Sequence, residues 1–436
     1  MNRHIDILTL GCSKNLVDTE HLMGHLQALG WHCHHDPITP TARVAVINTC
    51  GFIGDAKEES IRTILQFVER KNKGELEQLY VMGCLSQRYA DELPKELPEV
   101  DGWFGKFDFD ALLRRLTQKP LEGFRRQLTT PRHYAYLKIS EGCNRMCSYC
   151  AIPIITGRHV SRPEDELLQE AEWLAQQGVK ELNVIAQDLS SYGLDIYHEH
   201  RLPALVKQLA AIDGIQWIRL HYAYPTDFPY DLLQVMADEK KVCRYLDIAL
   251  QHNSDHMLQL MRRHITSQEQ DALIERIRRD VPGIYLRTTL IVGHPGETEE
   301  DFASLKEWVR QMRFERMGAF AYSHEEGTYA YRHYKDDIPE EVKQERLQEL
   351  MAVQQDIAEA QQQQLVGQTL PVLIDRQEGD WFIGRTEHDS PEVDNEVLIG
   401  NTYPLKVGRF YPVTITQAEA FDLYGQPQDI PPGKRF

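Results

Sequence analysis

Eight cysteines carry the chemistry that can be read first. Three of them fall in one short run, EGCNRMCSYC, which spaces Cys143, Cys147 and Cys150 as C-x3-C-x2-C. Three thiolates on one loop can surround a 4Fe–4S cluster and leave its fourth iron open, and an open coordination position is what a reactive metal centre needs. Structural zinc is the plainer use of such a run. It asks for a fourth protein ligand, with His133 or His159 as candidates, and the spacing differs from the paired C-x2-C of zinc ribbons. A disulfide does not suit a chain with an intracellular layout.

A second set is dispersed. Cys12, Cys50 and Cys84 are separated by 38 and 34 positions, which fits no zinc-finger spacing. Each closes an apolar run and opens a helical one, in TLGC, INTC and VMGC. Cysteines at the carboxyl ends of neighbouring parallel strands converge in one crevice. Two readings follow: buried structural thiols, or a second three-thiolate cluster, again with one open iron. Cys33 sits among His32, His34 and His35 in WHCHHD. On a strand His32 and His34 face one way and Cys33 and His35 the other, so an edge strand is expected there rather than a metal patch. Cys243, in KKVCRYL ahead of a strand, is expected to be a core thiol.

These residues need elements to position them. Strand-like runs at 5–10, 43–49 and 79–82 alternate with helical patterns at 15–29 and 59–70, which means a parallel sheet. The stretch 119–133 has Pro, Gly and no periodicity, and reads as a linker. Strand-like runs resume at 134–140, 181–187, 217–223, 245–251, 285–293 and 317–323, with helical patterns such as 164–177, 202–211 and 298–312 between them. Six βα units predict an open or partial barrel. The Cys143–Cys150 loop follows its first strand, at the edge where α/β barrels place their chemistry. A long polar helix is expected over 340–364. Short β-rich runs at 370–375, 381–384, 396–399 and 411–417 then predict a small antiparallel β-barrel. The expected fold is therefore α/β with three domains: a parallel-sheet domain over 1–118, a partial (βα)6 barrel over 132–363, and the small β-barrel over 366–436.

Composition bounds the partners. The 436 residues are 42% hydrophobic and 26% charged, an ordinary soluble balance. No apolar run approaches the ~20 residues of a membrane span, and the first residues lack a signal-peptide layout, so a cytoplasmic protein without a membrane partner is expected. A net charge of −18 argues against direct nucleic-acid binding. The tail over 366–436 shares the acidity, with six Asp and five Glu against four Arg and two Lys. A barrel that reads an RNA backbone should be basic. An acidic one suits a basic protein partner, or is simply a solvated face.

The run C-x3-C-x-Tyr-C resembles the signature of the radical S-adenosylmethionine (SAM) superfamily. The resemblance implies that the open iron binds the amino and carboxylate groups of SAM, that the reduced cluster cleaves it to a 5′-deoxyadenosyl radical, and that Tyr149 lies near the adenine. It adds a SAM contact for the turn holding Gly293 and Gly296, which otherwise reads as an ordinary strand-to-helix turn. Gln187, at the end of the second barrel strand, is a candidate polar SAM contact, or half of a capping pair with Asp188.

The two triads and the β-barrel tail together resemble the methylthiotransferase family over essentially the whole chain; in that family the tail is called a TRAM domain. One subfamily modifies adenosine in transfer RNA, the other an aspartate of the small-subunit ribosomal protein S-twelve. The stretches AYLKISEGCNRMCSYCAIP, YLDIALQHNSDHMLQLMRR and LRTTLIVGHPGETEEDF resemble the second, as do Gly384-Arg385-Thr386 and the run Asp389 to Asp394. The transfer-RNA enzymes more often carry Q-S-G-S where this chain has Gln251-His252-Asn253-Ser254. Departures are Ala249 for proline, His294 for an aromatic and Ser390 for alanine. The resemblance implies two 4Fe–4S clusters and SAM as cofactors. Cys143, Cys147 and Cys150 would hold the SAM-cleaving cluster, and Cys12, Cys50 and Cys84 the cluster carrying the sulfur to be inserted at the aspartate β-carbon. It leaves the electron donor and the sulfur donor unidentified. The rival readings are a transfer-RNA adenosine methylthiotransferase and a non-catalytic zinc protein with a ribosome-binding β-barrel.

Overall fold

The runs Val44–Thr49 and Gln78–Gly83 are buried along nearly their whole length, which demands cover on both faces. They form the middle of a parallel sheet built from β1 (His4–Thr9), β2 (His32–His35), β3 (Val44–Thr49), β4 (Gln78–Gly83) and β5 (Gly102–Phe104), in the order β2-β1-β3-β4-β5. The two-residue period then sorts the side chains. Val44, Val46, Tyr80 and Met82 pack with Ile5 and Ile7 against Leu22, Met23 and Leu26 of α1 (Ser13–Ala28) and against the helix Phe109–Thr117. Ala45, Ile47, Leu79 and Val81 pack against Ile64, Phe67 and Val68 of α2 (Gly54–Asn72). Each fully buried aliphatic side chain contributes about 1.5–3 kcal/mol.

The computed structural model describes residues 3–431. The expected boundaries at 1 and 436 take in residues 1–2 and 432–436, which lie outside the described residues. The chain packs as two units. The first comprises residues up to Thr130, with Glu141–Val160 and Ser323–Arg332; the second comprises Pro131–Ser140, Ser161–Tyr322 and the chain from His333 onward.

Within the first unit β2 is an edge strand with alternating burial, as its sequence pattern required. α2 begins at Gly54 rather than at residue 59. Its first turn is polar and mostly exposed, so it carries no apolar period to read. The 119–133 stretch is irregular but not loose. Arg126 and Glu20, both buried, pair at 2.6 Å, and Thr129 donates to the same carboxylate.

The second unit contains six parallel strands: β6 (Tyr134–Lys138), β7 (Glu181–Ile185), β8 (Trp217–Ala223), β9 (Val242–Ile248), β10 (Tyr285–Val292) and β11 (Arg316–Ala321). Their order is β11-β10-β9-β8-β7-β6, an open partial barrel. β9 starts three residues before the expected 245, so Cys243 lies inside the strand and not ahead of it. The apolar run continues past the strand to Leu250, but Gln251 turns left-handed with φ 72°, where the strand has already ended. Cys243 is a core thiol, 1% exposed. The long helix Glu340–Gln363 buries Leu350, Val353 and Ile357 along one stripe beneath its polar surface.

The tail closes a five-stranded barrel from β12 (Thr369–Glu378), β13 (Trp381–Arg385), β14 (Glu396–Gly400), β15 (Phe410–Ala418) and β16 (Asp422–Pro427). Four of its pairings are antiparallel and one, β14 with β16, is parallel. An odd number of strands cannot alternate direction all the way round a closed ring, so one parallel pair is unavoidable. β16 lies outside the four expected runs, because Gly425 and Pro427 make it read as a turn. Among the described residues no helix is long and apolar enough to cross a membrane.

Candidate functional site

Cys12, Cys50 and Cys84 lie just beyond the carboxyl ends of β1, β3 and β4, three neighbours in one sheet. Register places Thr49 opposite Gly83, so Cys50 and Cys84 emerge side by side. Gly11 brings β1 into the same crevice. It has φ 89°, and a β-carbon there would stand 2.9 Å from Cys50 Sγ. Gly83 has φ 101° and its position abuts Thr49 and Asn48, so neither its backbone angle nor its neighbours admit a side chain.

One amide ties these ends together. Asn15, 1% exposed, donates through Nδ2 to the carbonyls of Leu10 at 2.9 Å and Thr49 at 3.1 Å. Its Oδ1 accepts from Lys106 Nζ at 3.0 Å and from Cys84 Sγ at 3.6 Å. Asn48, also buried, donates to the Asn15 carbonyl at 2.9 Å and to Thr19 at 3.0 Å. The three thiols differ electrostatically. Around Cys12 desolvation works against ionisation, but the charges of Lys14 and Lys106 and the N–H groups of Asn15 and Lys14 outweigh it and hold the thiol below its ordinary value. Burial pushes Cys50 up, and pushes Cys84 up to about 12 against the opposing charge of Lys106.

The second triad, Cys143, Cys147 and Cys150, also belongs to the first unit. Residues 142–147 adopt no regular structure. The loop is pinned by Cys143 N–H to the Gly157 carbonyl at 3.2 Å, Cys150 N–H to Cys147 O at 3.1 Å, and Ala330 N–H to Ser148 O at 2.7 Å. Arg145 N–H points at Cys143 Sγ at 3.5 Å, a donor aimed at sulfur. Segment Ser323–Arg332 is fastened within the same unit. Glu325 receives Lys57 at 2.8 Å and Arg88 at 2.9 Å, and Arg88 also donates to the Gly51 carbonyl, next to Cys50, at 2.8 Å.

No disulfide joins any of the eight cysteines. Among the described residues no three His, Cys, Asp or Glu side chains are laid out around a single metal ion. The donor chemistry of each triad is three sulfurs, which suits iron–sulfur ligation with one iron left open. Of the two candidates for a fourth zinc ligand, His133 has its ring held by Asp375 at 2.8 Å, in the second unit.

Tyr149 lies on the cysteine loop in the first unit, whereas Gln187, Gly293 and Gly296 lie in the second, past the carboxyl ends of β7 and β10. Gly293 and Gly296 have φ 75° and 85°. The Gly293 N–H donates to the buried Glu297 at 2.7 Å, and Arg346 donates to the same carboxylate at 2.6 Å. Asp188 accepts from Ser190 N–H at 2.9 Å and from Ser191 Oγ at 2.6 Å, a local cap. Asn15, Lys106 and Glu325 are functional residues that the sequence analysis does not name. Asn48, two residues before Cys50, carries the one local sign, a lone amide in an apolar strand, and the sequence analysis does not single it out; the others give no local signal.

Comparison with known proteins adds the following. Residues 4–105 match the uncharacterized protein family UPF0004, residues 137–309 the radical SAM superfamily and residues 366–427 the TRAM domain. The ribosomal protein uS12 methylthiotransferase RimO of Bacteroides thetaiotaomicron is 59% identical over 427 residues, which is 97% of this chain and 98% of that protein. The protein of the same name from Christiangramia forsetii is 53% identical over 430 residues, 98% of this chain and 94% of that protein. Among solved structures, the radical S-adenosylmethionine methyltransferase TsrM from Kitasatospora setae superposes with a TM-score of 0.55 at 15% identity, over 74% of this chain and 75% of that one. The cobalamin-dependent S-adenosylmethionine radical enzyme OxsB gives 0.52 at 10% identity, over 78% and 56%. At such identities these two show the fold alone.

Proposed function

Because this chain belongs to the RimO methylthiotransferase family, and is an enzyme of the radical SAM methylthiotransferase type, we propose that it methylthiolates the β-carbon of an aspartate in ribosomal protein uS12, using SAM and two 4Fe–4S clusters. The observation that carries the two-cluster part is the pair of three-sulfur sets in one unit, each with no fourth cysteine beside it in sequence or register. When bound, the cluster on Cys143, Cys147 and Cys150 supplies the electron for SAM cleavage, and that on Cys12, Cys50 and Cys84 an open iron for the sulfur.

The chain's own residues do the positioning. Cys12 is the thiol already biased toward thiolate, the form that ligates metal. Cys50 and Cys84 are held as thiols by burial, so loading must displace their protons. Asn15 fixes the spread of the three strand ends. Tyr149, Gln187, Gly293 and Gly296 are our assignment for the SAM contacts. The segments 1–118, 132–363 and 366–436 serve as the sulfur-carrying, SAM-cleaving and accessory parts, acting in the cytoplasm.

Anaerobic reconstitution should give about eight irons per chain. Cys147→Ala should abolish SAM cleavage; Cys50→Ala should spare cleavage and abolish methylthiolation. Equal loss of cleavage in both, with the other cluster intact, would refute this division of labour. Mass spectrometry of uS12 and of transfer RNA from a deletion strain decides the substrate: a methylthio group missing from transfer RNA alone would overturn the protein-substrate assignment.

A further inference from the structure

Lys106 is a buried cation at the sulfur crevice. Its side chain is 3% exposed, and its ammonium donates to Asp18 at 2.8 Å and to Asn15 Oδ1 at 3.0 Å, with Glu141 at 3.8 Å. The partners are not scattered. Asn15 and Asp18 lie on α1 in the two turns after Cys12, and Glu141 stands two residues before Cys143. One oxygen, Asn15 Oδ1, receives both Lys106 Nζ and Cys84 Sγ, so a single atom separates the ammonium from a ligand thiol. Taking an ammonium out of water is costly unless its charge is compensated. A tie between α1 and the end of β5 would need only Asp18. The further approach to Asn15, Cys84 and Glu141 places the charge where thiolate and sulfide charge would accumulate.

We propose that Lys106 is a positioning residue whose ammonium is the built-in counter-charge for the anionic sulfur centre on Cys12, Cys50 and Cys84, setting its reduction potential. The inference rests on the reading that those three thiolates hold a cluster. In a low-dielectric site a nearby positive charge stabilises the more reduced, more negative state, so it raises the potential.

The test uses the full-length chain with Cys143, Cys147 and Cys150 replaced by alanine, so that all remaining iron reports the first triad. This chain should bind about four irons; if it binds none, the cluster reading itself falls, and the inference with it. Midpoint potentials then come from a redox titration followed by electron paramagnetic resonance. Lys106→Met should shift the potential down, Lys106→Arg should leave it near the parent, and Asp18→Asn, which removes a neutralising carboxylate, should shift it up. A purely structural role predicts no such opposition. Iron-loaded variants with unmoved potentials, or with shifts of one sign in both Lys106→Met and Asp18→Asn, overturn the counter-charge while sparing the cluster. If Lys106→Met binds no iron, Asp18→Asn alone decides: an upward shift supports the inference and any other result overturns it.

Discussion

At the residue scale the crevice at Cys12, Cys50 and Cys84 depends on side chains other than the cysteines. Asn15 uses both amide hydrogens and its oxygen on Leu10 just past β1, Thr49 of β3, Cys84 just past β4, and Lys106. Asn15→Ala strands the carbonyls of Leu10 and Thr49, and each buried group left unsatisfied costs about 1–3 kcal/mol; the expected result is a lower melting temperature together with reduced iron uptake. His294 offers a separate test. It is fully buried, in edge contact with Tyr322 and Tyr334 at 5.0 and 5.9 Å between ring centres, and burial pushes it from 6.5 down to about 4. The unfolded chain therefore takes up a proton below about pH 6.5 that the folded chain refuses until about pH 4. This contribution to stability is fully present above pH 6.5 and is lost as pH falls toward 4, up to about 3 kcal/mol in all. His294→Phe should flatten the acid limb of melting temperature against pH; an unchanged loss between about pH 7 and 5 would count against the argument.

Elements succeed or fail at their ends. The middle of the first unit's sheet could be drawn from periodicity, because VAVINT and QLYVMG are buried on both faces, whereas β5, three half-buried residues, gives no period to read. What periodicity cannot convey is how closely β1, β3 and β4 approach where they stop. Gly11 marks that limit, since a β-carbon there would meet Cys50 at 2.7 Å from its Cβ and the backbone sits at φ 89°. Gly11→Ala should displace Cys50 and cut iron from about eight to about four per chain, leaving SAM cleavage intact. Iron counts settle it; an undiminished count would mean the crevice tolerates the shift. Similarly, β9 could not be bounded from sequence. Its apolar run continues through Leu250, and only the left-handed backbone at Gln251 shows that the strand has stopped.

On the scale of the whole molecule, the acidity of the tail proves partly internal. Asp389 pairs with Arg316 at 3.0 Å and Asp394 with Arg287 at 3.0 Å, while the reverse pair, Glu181 of β7 with Arg385 of the tail at 2.7 Å, offsets one of these two; all lie within the second unit. These arginines come from the amino ends of β10 and β11 and from β13, so the run Asp389 to Asp394, singled out for its resemblance to relatives, also anchors the tail to the six-stranded sheet. A tail charge of −5 therefore overstates what is presented to a basic partner. Asp389→Ala leaves Arg316, 6% exposed, without its carboxylate, and breaking a buried pair from one side costs about 3–5 kcal/mol. Thermal melting should show a clear fall in the second unit; a shift typical of an exposed pair, below about 1 kcal/mol, would contradict it.

Residue order alone was enough to read the class of fold and the enzyme type, and to propose the six sulfurs. Cysteine spacing and apolar period are local properties, and they survive without coordinates. Even the dispersed triad was legible, because the same strand-to-helix junction recurs at Cys12, Cys50 and Cys84. What surrounds them comes from the folded chain alone. Lys106 lies 91 residues from Asn15, Glu325 lies 237 from Arg88, and Arg385 lies 204 from Glu181. Buried charges find their partners through the low dielectric and exact geometry of the folded interior, and neither property leaves a mark on neighbouring letters of the chain.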